Sequence, residues 1–118
     1  KLKDGVIELP SGLQYRVLVE GPAGGPSPGP STRCACHYRG TTIDGKEFDS
    51  SYKRGKPTEF APNQVIAGWT EAMQLMKEGD KWELVIPSEI AYGDRQMGPD
   101  ITPGAVLVFT LEIVKVGV

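Results

Sequence analysis

The sequence has few of the side chains that usually do covalent or metal chemistry. Among 118 residues there are one histidine, His37, and two cysteines, Cys34 and Cys36. No histidines, cysteines and carboxylates are grouped at the spacing of a metal site, and no glycine-rich segment has the lysine and helix of a phosphate-binding loop. A lone histidine without a matched nucleophile is a weak catalytic candidate, so His37 is interpreted as structural or solvent-facing. The sequence therefore predicts neither a metal nor a cofactor.

An excess of positive charge and a long apolar run are also missing. The formal net charge is −2 at pH 7 and the pI is about 5.4, which excludes the general basic field with which proteins hold nucleic acid. No segment approaches the ~20 apolar residues that a membrane-spanning helix needs. We therefore expect no nucleic acid partner and no membrane insertion.

The two cysteines are predicted to be free. On a strand, Cys34 and Cys36 would point to the same side, ~6.6 Å apart along the chain, with nearly parallel side chains that are poorly placed for a disulfide. Such a pair can suggest a metal site, but the sequence offers no second ligand cluster. Buried thiols that pack as small apolar groups are the better interpretation.

Turn-forming residues are abundant. The 15 glycines and 10 prolines make up roughly a fifth of the chain, against about 12% in average proteins, which favours many turns and short strands. The length suits one domain. Residues 1–11 are predicted to be an N-terminal tail and residues 12–118 to form the domain. The Gly/Pro-rich segment 21–30 is interpreted as a surface connection within it.

Apolar and polar residues alternate in several segments, as in half-buried strands. These segments are 13–19, 34–38, 47–49, 82–86 and 107–113, with a further short strand ending at Phe60. Asp44-Gly45 indicates a hairpin. One helix is predicted from Ile66, Trp69, Met73 and Met76, which share a face, with Gly79 as the residue that ends it. This order predicts an α+β fold in which a strongly twisted antiparallel sheet wraps over one short amphipathic helix.

Large aromatic side chains lie at the ends of the predicted elements. For each of them alone, core packing is the plain alternative. With Val65 and Ile66, which precede Trp69, they form a pattern that suggests an apolar pocket. The aromatic residues of this pattern are Tyr38, Phe48, Phe60, Trp69, Tyr92 and Phe109.

Five motifs resemble those of the FKBP-type peptidyl-prolyl cis-trans isomerases in order and approximate spacing. They are residues 37–40 (HYRG), 44–51 (DGKEFDSS), 65–69 (VIAGW), 90–93 (IAYG) and 107–109 (LVF). The likeness covers nearly everything from Leu13 onward. Residues 9–15 (LPSGLQY) and 68–76 (GWTEAMQLM) are similar in particular to the macrophage infectivity potentiator branch. That branch usually carries an N-terminal helical or dimerising extension, so the resemblance implies that the tail of residues 1–11 is the remnant of an extension.

The resemblance implies a set of site residues. Tyr38, Asp49, Ile66 and Tyr92 would have catalytic roles. Phe48, Phe60, Val65, Trp69, Ile101 and Phe109 would bind the substrate, with Trp69 as the floor of the pocket. Arg54 and Met97 would lie at the rim. Two positions depart from the pattern of single-domain relatives: Thr58 stands where an aromatic residue is common, and Met97 where a histidine is common.

The function implied by the resemblance is rotation about X-Pro bonds in an apolar pocket, without covalent chemistry and with inhibition by rapamycin-type macrolides. A non-catalytic module that binds or chaperones proline-containing proteins would use the same residues and is the alternative. A structural β domain whose aromatic residues only pack is the third possibility.

The chain starts at Lys1 instead of methionine, which gives the expectation of a processed product. The resemblance gives the expectation of a secreted or cell-surface location and a monomeric fragment.

Overall fold

The fold is a twisted antiparallel sheet covered by a short helix. The computed structural model describes residues 5–43, 45–91 and 106–117. The strands are β1 (Ile7–Glu8), β2 (Gln14–Val19), β3 (Cys34–Thr42), β4 (Glu47–Ser50), β5 (Thr58–Phe60), β6 (Lys81–Ile86) and β7 (Leu107–Val116). Their order is β1-β2-β6-β7-β3-β4, with β5 beside β3, and the pairs are antiparallel. The predicted α+β class is confirmed.

The helices are α1 (Ser51–Arg54) and α2 (Ala67–Leu75), and 3₁₀ turns occupy Pro62–Gln64 and Ser88–Ile90. Helix α2 packs on the apolar face that the central strands present. Alternate residues of β6 and β7 are buried in that core, as their sequence pattern predicts. Helix and sheet approach closely because Gly68 has no side chain: a Cβ there would lie 2.7 Å from Ile86 Cγ2.

Two details of the helices differ from the predictions. The main helix ends at Leu75, and Met76 already has an extended backbone, so Gly79 is not its terminating residue. Gly79 instead takes a φ of +90° in the following turn and donates its N–H to Ile113 O. Helix α1 is a single turn that was not predicted from the sequence, and Gly55, with a φ of +77°, ends it.

The N-terminal part of the chain also shows differences. Ile7 and Glu8, within the predicted tail, pair with the start of β2. Val17 and Val19 alternate with polar residues as a half-buried strand would, but they are 44% and 51% exposed. Both cysteines are free and buried, as predicted, and burial raises the pKa of the Cys36 thiol to about 12.

Residues 21–30 form the predicted connection without helix or strand. Backbone hydrogen bonds attach this loop in its middle and at its C-terminal end. Glu78 N–H donates to Pro26 O at 2.9 Å, and Asn63 N–H donates to Pro30 O at 3.0 Å. The loop therefore braces the 3₁₀ turn that leads into α2. Across the described ranges, no helix is long and apolar enough to span a membrane.

Candidate active site

A cavity of about 550 Å³ opens beside the first turn of α2. Its walls come from β3, β4, β5 and β7 together with the segment that leads into the helix. The residues that line it are Tyr38, Phe48, Asp49, Thr58, Phe60, Gln64, Val65, Ile66, Ala67, Trp69, Ala91 and Phe109. This volume is in the usual range for small-molecule sites.

Trp69 is the centre of the aromatic cluster that builds the pocket. Its ring centroid is 5.1 Å from that of Tyr38 and 4.9 Å from that of Phe109, with interplanar angles of 72° and 85°. Phe60 lies 5.4 Å away at a tilt of 42°. Edge-to-face contacts of this kind are the favoured arrangement of aromatic pairs. Trp69 is only 5% exposed, so its indole is held by neighbours on several sides.

Gly40 on β3 sets the position of the opposite wall. Phe48 and Phe109 meet edge to face with centroids 5.6 Å apart. A Cβ on Gly40 would lie 2.6 Å from Phe109 Cε1 and 2.7 Å from Phe48 Cζ. The two rings therefore occupy the space that any other residue at position 40 would fill.

A polar network closes one side of the pocket. The Tyr38 hydroxyl donates to Asp49 Oδ2 at 2.8 Å. The guanidinium of Arg54 donates to Asp49 Oδ1 at 2.9 Å, to the Tyr38 hydroxyl at 2.8 Å and to Thr58 Oγ1 at 3.1 Å. Arg54 thus joins three lining residues through a single planar group.

The network shifts the ionisation of its members in opposite directions. Burial of the Asp49 carboxyl favours its neutral form, but the hydrogen bonds from Tyr38 and Arg54 outweigh burial, so the pKa of Asp49 is lowered. Burial is the main cause that raises the pKa of Tyr38, and the neighbouring Asp49 adds to it. At neutral pH the site therefore contains an ionised Asp49 and a protonated Tyr38.

Ser51 supports Tyr38 from behind. The last β3–β4 pair is Arg39–Ser50, after which the chain turns into α1. Tyr38 therefore has no partner residue on β4, and the fully buried Ser51 hydroxyl takes that place. It accepts the Tyr38 N–H at 2.7 Å and lies 2.8 Å from His37 Nδ1. The role of Ser51 was not predicted from the sequence. His37, expected to be structural or solvent-facing, is partly buried and stacks on Tyr52 with ring centroids 4.6 Å apart.

The segment before α2 is fixed by its own hydrogen bonds. Gln64 Oε1 accepts the Ala61 N–H at 2.8 Å, and Gln64 N–H donates to Ala61 O at 3.0 Å. The Thr70 hydroxyl donates to Pro62 O at 2.5 Å. Val65 and Ile66 follow with extended backbones, so they enter the pocket wall just before the helix begins.

The structure brings most of the predicted site residues together. Eight of them line this one cavity, and Arg54 lies at its edge through the hydrogen bonds given above. The predicted Tyr92, Met97 and Ile101 lie outside the described residues. Gln64, Ala67 and Ala91 also line the cavity but were not predicted as site residues, although Gln64 directly precedes the Val65-Ile66 motif. In residues 5–43, 45–91 and 106–117, no group of three histidines, cysteines or carboxylates could hold a metal.

Comparison with known proteins decides the family. Residues 25–114 match the family model described as FKBP-type peptidyl-prolyl cis-trans isomerase. The chain belongs to this family. The match includes every described residue that lines the cavity.

Members of the FKBP-type family from several organisms are similar over almost the whole chain. The outer membrane protein MIP of Legionella longbeachae is 47% identical over 98% of this chain and 49% of its own length. The 22 kDa FKBP-type isomerase of Escherichia coli is 49% identical over 97% of this chain and 54% of its own length. The macrophage infectivity potentiator of Trypanosoma cruzi is 47% identical over 93% of this chain and 56% of its own length. The chain thus spans about half the length of these curated relatives.

Solved structures of FKBP-type isomerases share the fold. The crystal structure of the isomerase from Pseudomonas syringae pv. tomato has a TM-score of 0.89 and 42% identity, covering 98% of this chain and 84% of that one. The crystal structure of Escherichia coli FkpA has a TM-score of 0.90 and 44% identity, covering 98% and 53%. The predicted resemblance to this family and to its Mip branch is confirmed.

Proposed function

We propose that this chain catalyses cis–trans isomerisation of X-Pro peptide bonds, with the proline ring seated over Trp69. The observation that carries the proposal is the packing of Tyr38, Phe60 and Phe109 around a single indole at the base of an open cavity. Family membership supports the same reaction, since the matched relatives are named as isomerases of this type.

The reaction needs no nucleophile. The barrier of about 18–20 kcal/mol arises from the partial double bond of the amide, and an X-Pro bond isomerises unaided in tens to hundreds of seconds. In the twisted transition state the amide loses conjugation and charge separation. A pocket with aromatic walls favours that less polar state over the planar amide, whereas water favours the planar one.

Polar groups orient the peptide. The Ile66 N–H would donate to a substrate carbonyl, because it precedes the first helical turn and no described group accepts from it. The Tyr92 hydroxyl would donate to a second carbonyl. Asp49 would act by holding the Tyr38 hydroxyl, as their 2.8 Å hydrogen bond allows.

The other predicted site residues would form the rim and the walls of the pocket. The rim would be formed by Arg54 and Met97. The proline ring and its neighbours would contact Phe48, Phe60, Val65, Trp69, Ile101 and Phe109. An occupant with the same shape as a proline peptide would compete for these contacts, so rapamycin-type macrolides are proposed as inhibitors.

Location and assembly complete the proposal. A relative named as an outer membrane protein supports a secreted or cell-surface location, which labelling of intact cells with an antibody would test. Residues 12–118 are proposed as the isomerase domain, active as a monomer. Light scattering of residues 1–118 after gel filtration would then give a mass near 12.8 kDa.

The deciding experiment measures the isomerisation rate of a short Leu-Pro peptide with and without the purified chain. We expect saturable acceleration that a rapamycin-type macrolide removes. A chain that melts cooperatively and binds the peptide without acceleration would overturn the catalytic proposal in favour of a binding module. No binding at all would overturn both.

A further inference from the structure

The polar side chains around the pocket are unevenly satisfied. Among the described lining residues, each side-chain acceptor already has a donor: the Tyr38 hydroxyl and the oxygens of Asp49, Thr58 and Gln64. Three donors have no acceptor in the described part of the chain. They are the Trp69 Nε1–H, which is buried, the Thr58 O–H and the Gln64 carboxamide N–H groups. The side-chain groups of this wall that have no partner at all are therefore donors, which suit acceptors on a ligand.

Gln64 is the best placed of these donors to contact a part of the ligand beyond the proline ring. It is exposed to solvent, whereas Trp69 lies at the base of the cavity. Its Oε1 is fixed by the Ala61 N–H at 2.8 Å. Because the oxygen and nitrogen of a carboxamide are on opposite sides of one planar group, this bond leaves Nε2 turned away from Ala61 and available to a ligand.

The backbone that carries Gln64 is also held in place. Its N–H is bonded to Ala61 O at 3.0 Å, and the preceding Asn63 N–H is bonded to Pro30 O at 3.0 Å. Because both ends of the Gln64 side chain are fixed, it loses little conformational entropy when a ligand binds. A hydrogen bond from Nε2 to the ligand therefore retains most of its contribution to the binding free energy. The opposite rim does not add a free negative charge, since Asp49 is paired with Arg54 at 2.9 Å.

We propose that Gln64 is a specificity-determining residue whose Nε2 donates to an acceptor on the side chain that flanks the substrate proline. The inference rests on the proposed isomerase function and adds the substrate class. Peptides with Gln or Glu next to proline are favoured over peptides with Lys at the same position, because a lysine ammonium has only donors to offer to this wall.

The test exchanges the donor for an acceptor without removing the local hydrogen bond. Gln64→Glu retains an oxygen for the Ala61 N–H and replaces the amide N–H groups by a carboxylate oxygen. Gln74→Glu is the matched control, since Gln74 is exposed on α2, bonds to Thr70 O and does not line the cavity. Measurements at 0.15 M salt limit long-range charge effects to about 8 Å. Gln64→Met, which removes the amide without adding charge, serves as a second variant.

The readout is kcat/KM for peptides with Leu, Gln, Glu or Lys placed before proline and, in a second series, after it. For wild type we expect the Gln:Lys and Glu:Lys ratios to exceed 1 at one of the two positions. Gln64→Glu should lower them roughly threefold to tenfold, Gln64→Met should bring them towards 1, and Gln74→Glu should leave them unchanged.

The outcomes separate the two proposals. If the Leu peptides are isomerised but Gln64→Glu folds like wild type and leaves every ratio unchanged at both positions, the role of Gln64 is disproved and the isomerase function stands. If the ratios change equally in Gln74→Glu, the effect is general charge and the role of Gln64 is also disproved. If wild type does not isomerise the Leu peptides, the proposed function itself fails.

Discussion

The Tyr38 hydroxyl donates a 2.8 Å hydrogen bond to Asp49 Oδ2 across the β3–β4 pair, and Arg54 contacts both residues. The network fixes the orientation of an aromatic wall whose other side packs on Trp69. Its polar atoms act on one another, so removal of one member affects the remaining two.

Asp49→Ala should lower kcat/KM by roughly tenfold, which corresponds to about 1.4 kcal/mol of transition-state binding. The substitution removes the acceptor of Tyr38 and the counter-ion of Arg54. Asp49→Asn, which keeps an oxygen for one of them, should lose less. The measurement is a proline-peptide isomerisation assay beside a thermal melt. Wild-type activity in a folded Asp49→Ala protein would remove Asp49 from the site.

The same carboxylate should make stability depend on pH in the acid range. The pKa of Asp49 is lowered in the folded protein, so its contribution is present above the unfolded value of about 3.9 and is lost as the pH falls through the folded value. Urea unfolding at several pH values below 5 should therefore show a steeper loss of stability for wild type than for Asp49→Asn. Parallel curves would contradict the lowered pKa.

The two tryptophans offer a matched pair of substitutions. Both are 5% exposed, but Trp69 lines the cavity, whereas Trp82 stacks on Tyr15 with centroids 4.1 Å apart. Trp69→Leu should lower kcat/KM tenfold or more. Trp82→Leu should lower the melting temperature while the folded protein keeps its activity, because a large-to-small change in a core costs a few kcal/mol of the 5–15 available. Equal effects of the two on activity would argue that Trp69 only fills the core.

Gly40→Ala should destabilise the protein by about 1–3 kcal/mol, since the new methyl group overlaps two packed rings. Relief of that overlap moves Phe48 or Phe109 from the pocket wall, so kcat/KM should fall as well. Gly29→Ala is the control: its nearest contact would be an ordinary 3.5 Å from Thr32 Oγ1, and we expect a change within about 0.5 kcal/mol. Denaturant titration and the peptide assay check both variants. If Gly40→Ala leaves both the stability and kcat/KM unchanged, Phe48 and Phe109 accommodate the methyl group, and the prediction is wrong.

The sequence predicted the parts of the fold that repeat regularly. Alternation in β6 and β7 identified the buried face because each strand is six residues or longer and lies inside the sheet. A two-residue β1 and a four-residue α1 are too short to show a period. Val17 and Val19 alternate like buried residues, yet they lie in β2, which is paired there with β6 and has only the short β1 on its other side. A sequence pattern does not tell how far the covering layer extends.

In the candidate site too, some residues could be predicted from the sequence and others could not. The aromatic residues could be predicted because they belong to motifs with a recognisable spacing. Ser51 could not, since its role depends on where β4 stops pairing with β3, and this is a property of three-dimensional register. Gln64 directly precedes Val65 in the sequence, but the role proposed for it depends on which end of its carboxamide is bonded to the backbone. Such hydrogen bonds are determined by the folded neighbourhood and leave no period in the sequence.

The different surroundings of the two indoles give the protein an intrinsic optical reporter. Trp82 stacks on Tyr15 and does not line the cavity, whereas Trp69 does, so a bound molecule would touch the ring of Trp69 only. The fluorescence emission of Trp69 should therefore shift when a ligand binds in the cavity, while that of Trp82 stays constant. Replacement of Trp82 by phenylalanine would leave Trp69 as the single tryptophan, whose emission follows a ligand titration without an added dye.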